Sequence, residues 1–504
     1  MDAFYHIKVI RVITVMSIRL TRMNTKKTPK ISNIMKKAPS QYQVDDYIKL
    51  TRKKFEELLP QTVPGIIKED LAFYFNYLKD NRSKNSLKAW ESTTGCIDSP
   101  NSWKTDNYRP IFSYLYYDRI TDGFFLPLIL KKIEITRKSG KEITVEEFNQ
   151  LCRLSIIGFR QPIDAIDLKI LQLLTKDPSL VAQAITDAIP HSYATVYNHL
   201  QNLKSKMGLR IVTRINWAKL GIQRIFLLTN DEKHFKKFNE FKSYQDGQSA
   251  FLWGETYYLK FYLLNKKNRD LIVQKYDALS KVEKEELNLL ELVEAPNTGY
   301  DFDLYDLNEQ KWQFDFATTY LDPKSISEQM ETQNGRRLFR DKFPPEQPYV
   351  LSEVETKIIS GLVGSYDVTQ KDLAEPLGIH APKLSVIKNK LLNDNIIKPQ
   401  LEVSMFLPLF LILWSSSKNE DIMKIITTLM QKIPYSSISP VVSHNDRNKH
   451  QMISLLVMDD ILYYSLVTFL MELTKEKQLE DFRLGIITDS YFGMANIDDI
   501  LAKE

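Results

Sequence analysis

Along this chain the spacing of apolar residues changes character twice, and in the same order each time. In "DAIDLKILQLLTKDP", Ile166, Ile170, Leu171, Leu173 and Leu174 recur three and four apart, which predicts an amphipathic helix. "SLVAQAITDAIP" predicts a second, shorter helix, with Ser179 as N-cap and Pro190 forcing its end. "HSYATVYNHLQNLKSKMGL" predicts a third from Ser192, with Val196, Leu200, Leu203 and Met207 facing inward. "LRIVTRINWAKLG" is then a β-like stretch leading to a glycine.

The same three helices return as "LSEVETKIISGLV", "TQKDLAEPLG" and "HAPKLSVIKNKLLNDNII". In the last of these, Pro382 suits the first helical position, and Leu384, Ile387 and Leu391 face inward. Lys169 and Lys357, Val196 and Leu384, and Leu203 and Leu391 share one offset, so the chain contains an internal repeat. The segments after the two copies also correspond. The first runs through strand "IQRIFLLT", helix "DEKHFKKFNEFKSY", strands "SAFLWG" and "YYLKFYLLN", one long helix "RDLIVQKYDALSKVEKEELN" and a strand near "GYDFDLYDL". The second runs through "LFLILWSS", "NEDIMKIITTLMQKI", "SSISPVVS", "HQMISLLVM", "DILYYSLVTFLMELTKEK" and "DFRLGIITD". Both read βαββαβ, the split order of a ferredoxin-like sandwich.

"YYLKFYLL" and "MISLLVM" are apolar on both faces: Tyr258, Tyr262 and Leu264 oppose Leu259, Phe261 and Leu263. Strands of that kind are buried on both sides. Helices supply one cover, so the other is a second sheet, either in the same chain as an internal pseudo-dimer or in a homodimer partner. The expected fold class is α+β: two tandem repeats of winged helix–turn–helix plus ferredoxin-like βαββαβ sandwich, with a mainly helical N-terminal domain. The boundaries are a basic extension over 1–40, a helical domain of unassigned role over 41–155, heads over 160–220 and 349–403, sandwiches over 221–320 and 404–504, and a linker over 321–348.

Length and composition fit this division, since 504 residues exceed what one core supports. Hydrophobic residues make up 43% and charged residues 26%, an ordinary globular balance. The longest apolar candidate near the start, "VITVMSI" between Arg11 and Arg19, is far short of the roughly 20 residues a membrane span needs. Cys96 and Cys152 are too few for a disulfide framework or a metal site, so a reducing, cytoplasmic setting is expected. The acid-poor stretch from Lys8 to Lys37 reads as a disordered extension, one preceding an initiator at Met23 or Met35, or as a phosphate-seeking arm.

The net charge of +5 proves no polyanion partner, but its clustering matters. No Asp or Glu occurs from Ala188 to Asn230, while Lys204, Lys206, Arg210, Arg214, Lys219 and Arg224 do. The third helix of a helix–turn–helix lies in the DNA major groove, where polar side chains read base edges and flanking cations meet phosphates. Its outward face here offers Ser192, Tyr193, Ala194, Tyr197, Asn198, Gln201 and Asn202, with Lys204 at its end and Arg210 and Arg214 on the following wing. Asn and Gln match adenine edges, and the Ala194 methyl matches a thymine methyl. In the second copy His380, Lys383, Ser385, Lys388 and Asn389 occupy the corresponding face, weighted toward phosphate contact.

Residues "DLKILQLL…SYATVYNHLQNLKSKMGLRIVTRINWAKLGIQRIFLL" and "KDLAEPLGIHAPKLSVIKNKLL" resemble the winged helix–turn–helix of the Lrp/AsnC transcription regulators, over about 160–504 taken twice. The resemblance implies double-stranded DNA as partner and oligomerisation through the sheets. The tandem form and residues 1–155 depart from the usual single copy, and no effector motif is recognisable. "SGKE" (Ser139 to Glu142) lacks the upstream glycine and following Ser/Thr of a phosphate loop. "HNDRNKH" with His444, Asp446 and His450 reads as a polar hairpin rather than a metal cluster. Without a nucleophile, metal or phosphate cradle, the expectation is a regulator that is not an enzyme and carries no cofactor. A replication initiator with paired heads, or a protein-interaction adaptor, are the alternatives.

Overall fold

The computed structural model describes residues 162–320, 345–363, 370–403 and 409–492, together with isolated positions elsewhere. The expected extension over 1–40 and most of the linker lie outside the described residues. The chain divides into two compact units, 1–95 with 109–156, and 96–108 with 157–504. In the first unit the described core residues include Tyr74, Phe75, Phe125 and Ile129, with the Tyr74 and Phe125 rings 6.0 Å apart. Both copies of the repeat belong to the second unit.

The first head is α1 (Ala165–Lys176), α2 (Ala182–Ala188) and α3 (Tyr193–Lys206), followed by strand β1 (Arg210–Ile215). Asp164 caps α1 through the backbone N–H groups of Ile166 and Asp167, and the Asp167 carboxylate accepts from the Asp164 N–H in return. Ser179 is not the cap of α2, which begins after Val181; its hydroxyl donates instead to Asp177. Ile170, Leu171, Leu174, Ile185, Val196 and Leu203 fill the core.

The rest of this copy is β2 (Gln223–Thr229), a 3-10 segment (Glu232–Tyr244), β3 (Gln245–Trp253), β4 (Glu255–Leu264), α4 (Lys266–Asp277), α5 (Lys281–Glu286) and β5 (Leu287–Leu292). Phe235, Phe238 and Phe241, all buried, stand three apart and suit a three-residue turn better than an α-helix. The long helix expected after β4 is two helices, because Ser280 caps a new one through a capping box with Glu283. The fourth strand of this half is therefore β5, "LNLLEL", rather than the later "GYDFDLYDL".

That later segment crosses to the other half. It forms β6 (Asn297–Tyr300), the small hairpin of β7 (Tyr305–Asp306) with β8 (Lys311–Trp312), and α6 (Phe316–Tyr320). The second copy supplies α7 (Glu353–Leu362), α8 (Gln370–Leu377), α9 (Ala381–Asn393) and β9 (Ile397–Glu402). It continues as β10 (Leu409–Ser417), α10 (Glu420–Met430), β11 (Tyr435–Ser443), β12 (His450–Met458), α11 (Asp460–Lys475) and β13 (Asp481–Phe492). Strand β6 pairs with β11, and Phe316 stacks near Phe469 of α11. The first head therefore shares one core with the second half, while Ile215 and Trp217 of the first wing pack into the second head.

The main sheet is antiparallel in every pairing, with order β3-β4-β2-β5 in one half and β11-β12-β10-β13 in the other. The halves do not stack as two separate sandwiches. Their edges join, β13 to β3 and β11 to β5, closing a barrel of eight strands. Closure removes both free edges of each half. At the first seam Gly485 is needed for space, since a Cβ there would meet Phe251 at 2.7 Å and the Leu252 carbonyl at 3.0 Å.

Barrel closure explains why the strands are apolar on both faces. Ile225, Leu227, Tyr262, Leu287 and Leu289 pack outward under Phe238, Ile272 and Tyr276. Phe226, Leu259, Phe261 and Leu290 point inward to meet Ile412, Val441, Ile453 and Ile487 of the other half. The two wings also join, β1 pairing antiparallel with β9 from Arg210 opposite Glu402 to Ile215 opposite Ile397.

Candidate nucleic-acid interface

Helix α3 begins at Ser192, whose Oγ accepts from the Thr195 N–H at 3.2 Å. Its inward stripe of Val196, Leu200 and Leu203 is buried, which leaves the opposite face to solvent. Tyr193 and Tyr197 are 48% and 45% exposed, one helical turn apart, and their rings stack at 5.9 Å. Ala194, Asn198, Gln201, Asn202 and Lys204 are exposed on the same helix. His199, half-buried, lies 2.8 Å from Asp167 and ties α3 to the start of α1. Burial pushes the Asp167 carboxyl above its ordinary range, and the His199 hydrogen bond offsets part of that rise. Asp164, Asp167 and His199 are close enough to share a metal ion, but the two carboxylates already serve the α1 cap and the His199 contact.

The cations expected to flank this helix are mostly engaged elsewhere. Arg210 and Arg214 each reach a different oxygen of Glu402 at 2.6 Å, and Arg214 Nε donates to Gln400. Burial opposes the Arg214 charge, but Glu402, with Tyr435 and Tyr300 nearby, holds its pKa above the ordinary value. Burial likewise opposes the Glu402 charge, and the two arginines outweigh it, so that carboxyl stays below its usual range. Lys219 donates to the Asp394 carbonyl, and Arg224 pairs with Asp246 at 2.8 Å. The two wing arginines, expected to face the DNA backbone, thus also join the two wings into one ribbon through Glu402. For the two wing arginines the counter-charge sits far away in sequence; Glu402 is the residue that reading missed, and the acid in the second wing was the available signal.

The second head differs in the same direction. His380 is the N-cap position of α9 without a side-chain cap bond, and Pro382 opens the helix. Lys383 and Asn389 are exposed and Ser385 is half-buried. Lys388, expected to contact phosphate, lies 3.8 Å over the Tyr366 ring and donates to the Tyr366 carbonyl. Lys390 pairs with Glu355 at 2.8 Å. Of the acids and histidines in "HNDRNKH", His444 contacts Asp277 and Asp446 pairs with Lys449, consistent with a hairpin turn. Among the described residues no helix is long and apolar enough to cross a membrane.

No protein-family model matches the chain, and no curated protein does. Two solved structures match, both titled as crystal structures of the siroheme decarboxylase NirDL, one of them in co-complex with an iron-uroporphyrin III analogue. Each is 11% identical with a TM-score of 0.40; the first covers 67% of this chain and 96% of its own, the second 66% and 95%. Both are structures of an enzyme, which stands against the expectation that the chain is not one. The expectation rested on short motifs. A site assembled across a fold need not leave any, as the ribbon joining Arg214 to Glu402 illustrates.

Proposed function

We propose that this chain binds double-stranded DNA as a transcription regulator, with two winged helix–turn–helix heads of Lrp/AsnC type on a pair of ferredoxin-like halves. The strand orders β3-β4-β2-β5 and β11-β12-β10-β13, each with helices on its outer face, support the ferredoxin-like assignment. The observation that carries the functional reading is the exposed face of α3, where Tyr193, Tyr197, Asn198 and Gln201 stand on a helix held by its cap and by the His199–Asp167 bond. Such a face fits a major groove, with amide side chains for base edges and apolar contact from Ala194.

Because Arg210, Arg214, Lys219 and Arg224 are held by protein groups, binding relies on base-edge and ring contacts more than on phosphate charge. Selection of bound fragments from random DNA should return a defined sequence, with a log–log salt slope no steeper than about −3, corresponding to roughly three phosphates neutralised. Failure to enrich any sequence, together with no measurable duplex binding at low salt, would rule the reading out.

A further inference from the structure

Beneath the interwing ribbon, at one end of the barrel, lies a cavity of about 670 Å³. That is the size of a pocket for a drug-sized organic molecule. Its apolar wall is the barrel interior, where Leu259, Phe261, Phe410 and Ile453 line it. Its polar wall is the ribbon and the adjoining strand ends, where Thr213, Arg214, Gln223, Arg224, Tyr300 and Glu402 line it.

Three features distinguish this space from a packing defect. Thr213 and Gln223 are each only 6% exposed and line the cavity, yet Thr213 Oγ and Gln223 Oε1 have no hydrogen-bond partner, and neither does the buried Nε of Arg224. Buried polar groups in folded proteins are nearly always paired, so three orphans around one cavity mark positions where something else completes the set. Arg214, one of the lining residues, keeps 41% of its side-chain surface accessible although it is paired with Glu402. On the ribbon two guanidiniums, Arg210 and Arg214, share the single carboxylate of Glu402, which leaves one positive charge over. The remaining lining charges are the Arg224–Asp246 pair and Glu294 on the loop after β5, so the lining as a whole is balanced and the positive excess is local to the ribbon.

We propose that this cavity binds an amphipathic organic acid: a fused-ring or branched apolar body against the barrel wall, and an acidic, oxygen-bearing end against Arg214 and Arg224. The orphaned Gln223 oxygen adds a preference for a ligand with a donor near that end. This site is separate from the α3 face and does not depend on the DNA-binding reading.

An anilinonaphthalene sulfonate, which joins fused rings to an anion, is the probe. The full-length protein should bind one equivalent saturably, with enhanced and blue-shifted emission. Ala295→Trp, which places an indole on a loop lining the cavity, should weaken binding at least tenfold. Arg224→Gln should weaken it several-fold, with a single cooperative melting transition retained in each case as the control for folding. Absence of saturable binding, or equal affinity in wild type and Ala295→Trp, overturns the site. Loss in Ala295→Trp with no change in Arg224→Gln, and none in a companion Arg214→Gln, overturns the acidic end of the ligand assignment.

Discussion

Tyr197 and Asn198 stand side by side on the outward face of α3, and the bond from His199 to Asp167 orients the helix that presents them. An amide that reads an adenine edge contributes discrimination rather than bulk affinity, so Asn198→Ala should relax sequence preference at one position by about 1–3 kcal/mol. Competition binding against single-base variants of a selected site measures that directly. Lys388 belongs to a different class. With its ammonium over the Tyr366 ring and bonded to the Tyr366 carbonyl, it supports the second head, so Lys388→Ala should lower stability by about 0.5–2 kcal/mol and leave the salt slope of DNA binding unchanged. Chemical denaturation and a salt titration separate these outcomes; a flatter slope would return Lys388 to the phosphate backbone.

At the scale of elements, the two heads are started by equivalent capping boxes, Asp164 with Asp167 and Ser352 with Glu355. Burial acts to raise the Glu355 carboxyl, but Lys390, the Ser352 groups and Tyr349 outweigh it and hold it at about 2 instead of 4.5. A carboxyl whose folded pKa is lowered adds stability that is present in full above about pH 4.5 and lost as the pH falls toward 2. Glu355→Gln should therefore cost about 1–2 kcal/mol near neutral pH and flatten the acid limb of the stability profile. Denaturation midpoints measured between pH 2 and 7 on both proteins test it. The ribbon is the second element with a clear consequence. Glu402→Gln would leave Arg210 and Arg214 without their shared carboxylate and should destabilise by about 1–2 kcal/mol, with a steeper salt slope for DNA as Arg210 becomes available.

At the largest scale, the unit that holds both repeats is organised by the closed barrel. Its interior takes residues from both halves, the first head shares a core with the second half, and the first wing packs into the second head. Neither repeat can bury its own apolar surface when separated. Ile453→Ala, inside the barrel, should cost about 2–4 kcal/mol and lower one cooperative transition covering both repeats. Calorimetry resolving two independent transitions for residues 157–504 would contradict this coupling.

The repeat, the helix order of each head and most strands were legible from the chain alone, because burial alternates with a period set by local geometry. Val196, Leu203, Leu384 and Leu391 announce their inward faces within a few residues of themselves. Other features depend on partners remote in sequence. Arg214 and Glu402 are 188 positions apart, and no local pattern tells a wing arginine bound for phosphate from one bound for a carboxylate on the other wing. The exchange of β6 to α6 between halves, the seams at Gly485 and Val441, and the cavity under the ribbon share this origin. Periodicity reports that a side chain is covered; chain closure alone selects what covers it, because the competing sheet arrangements bury the same residues.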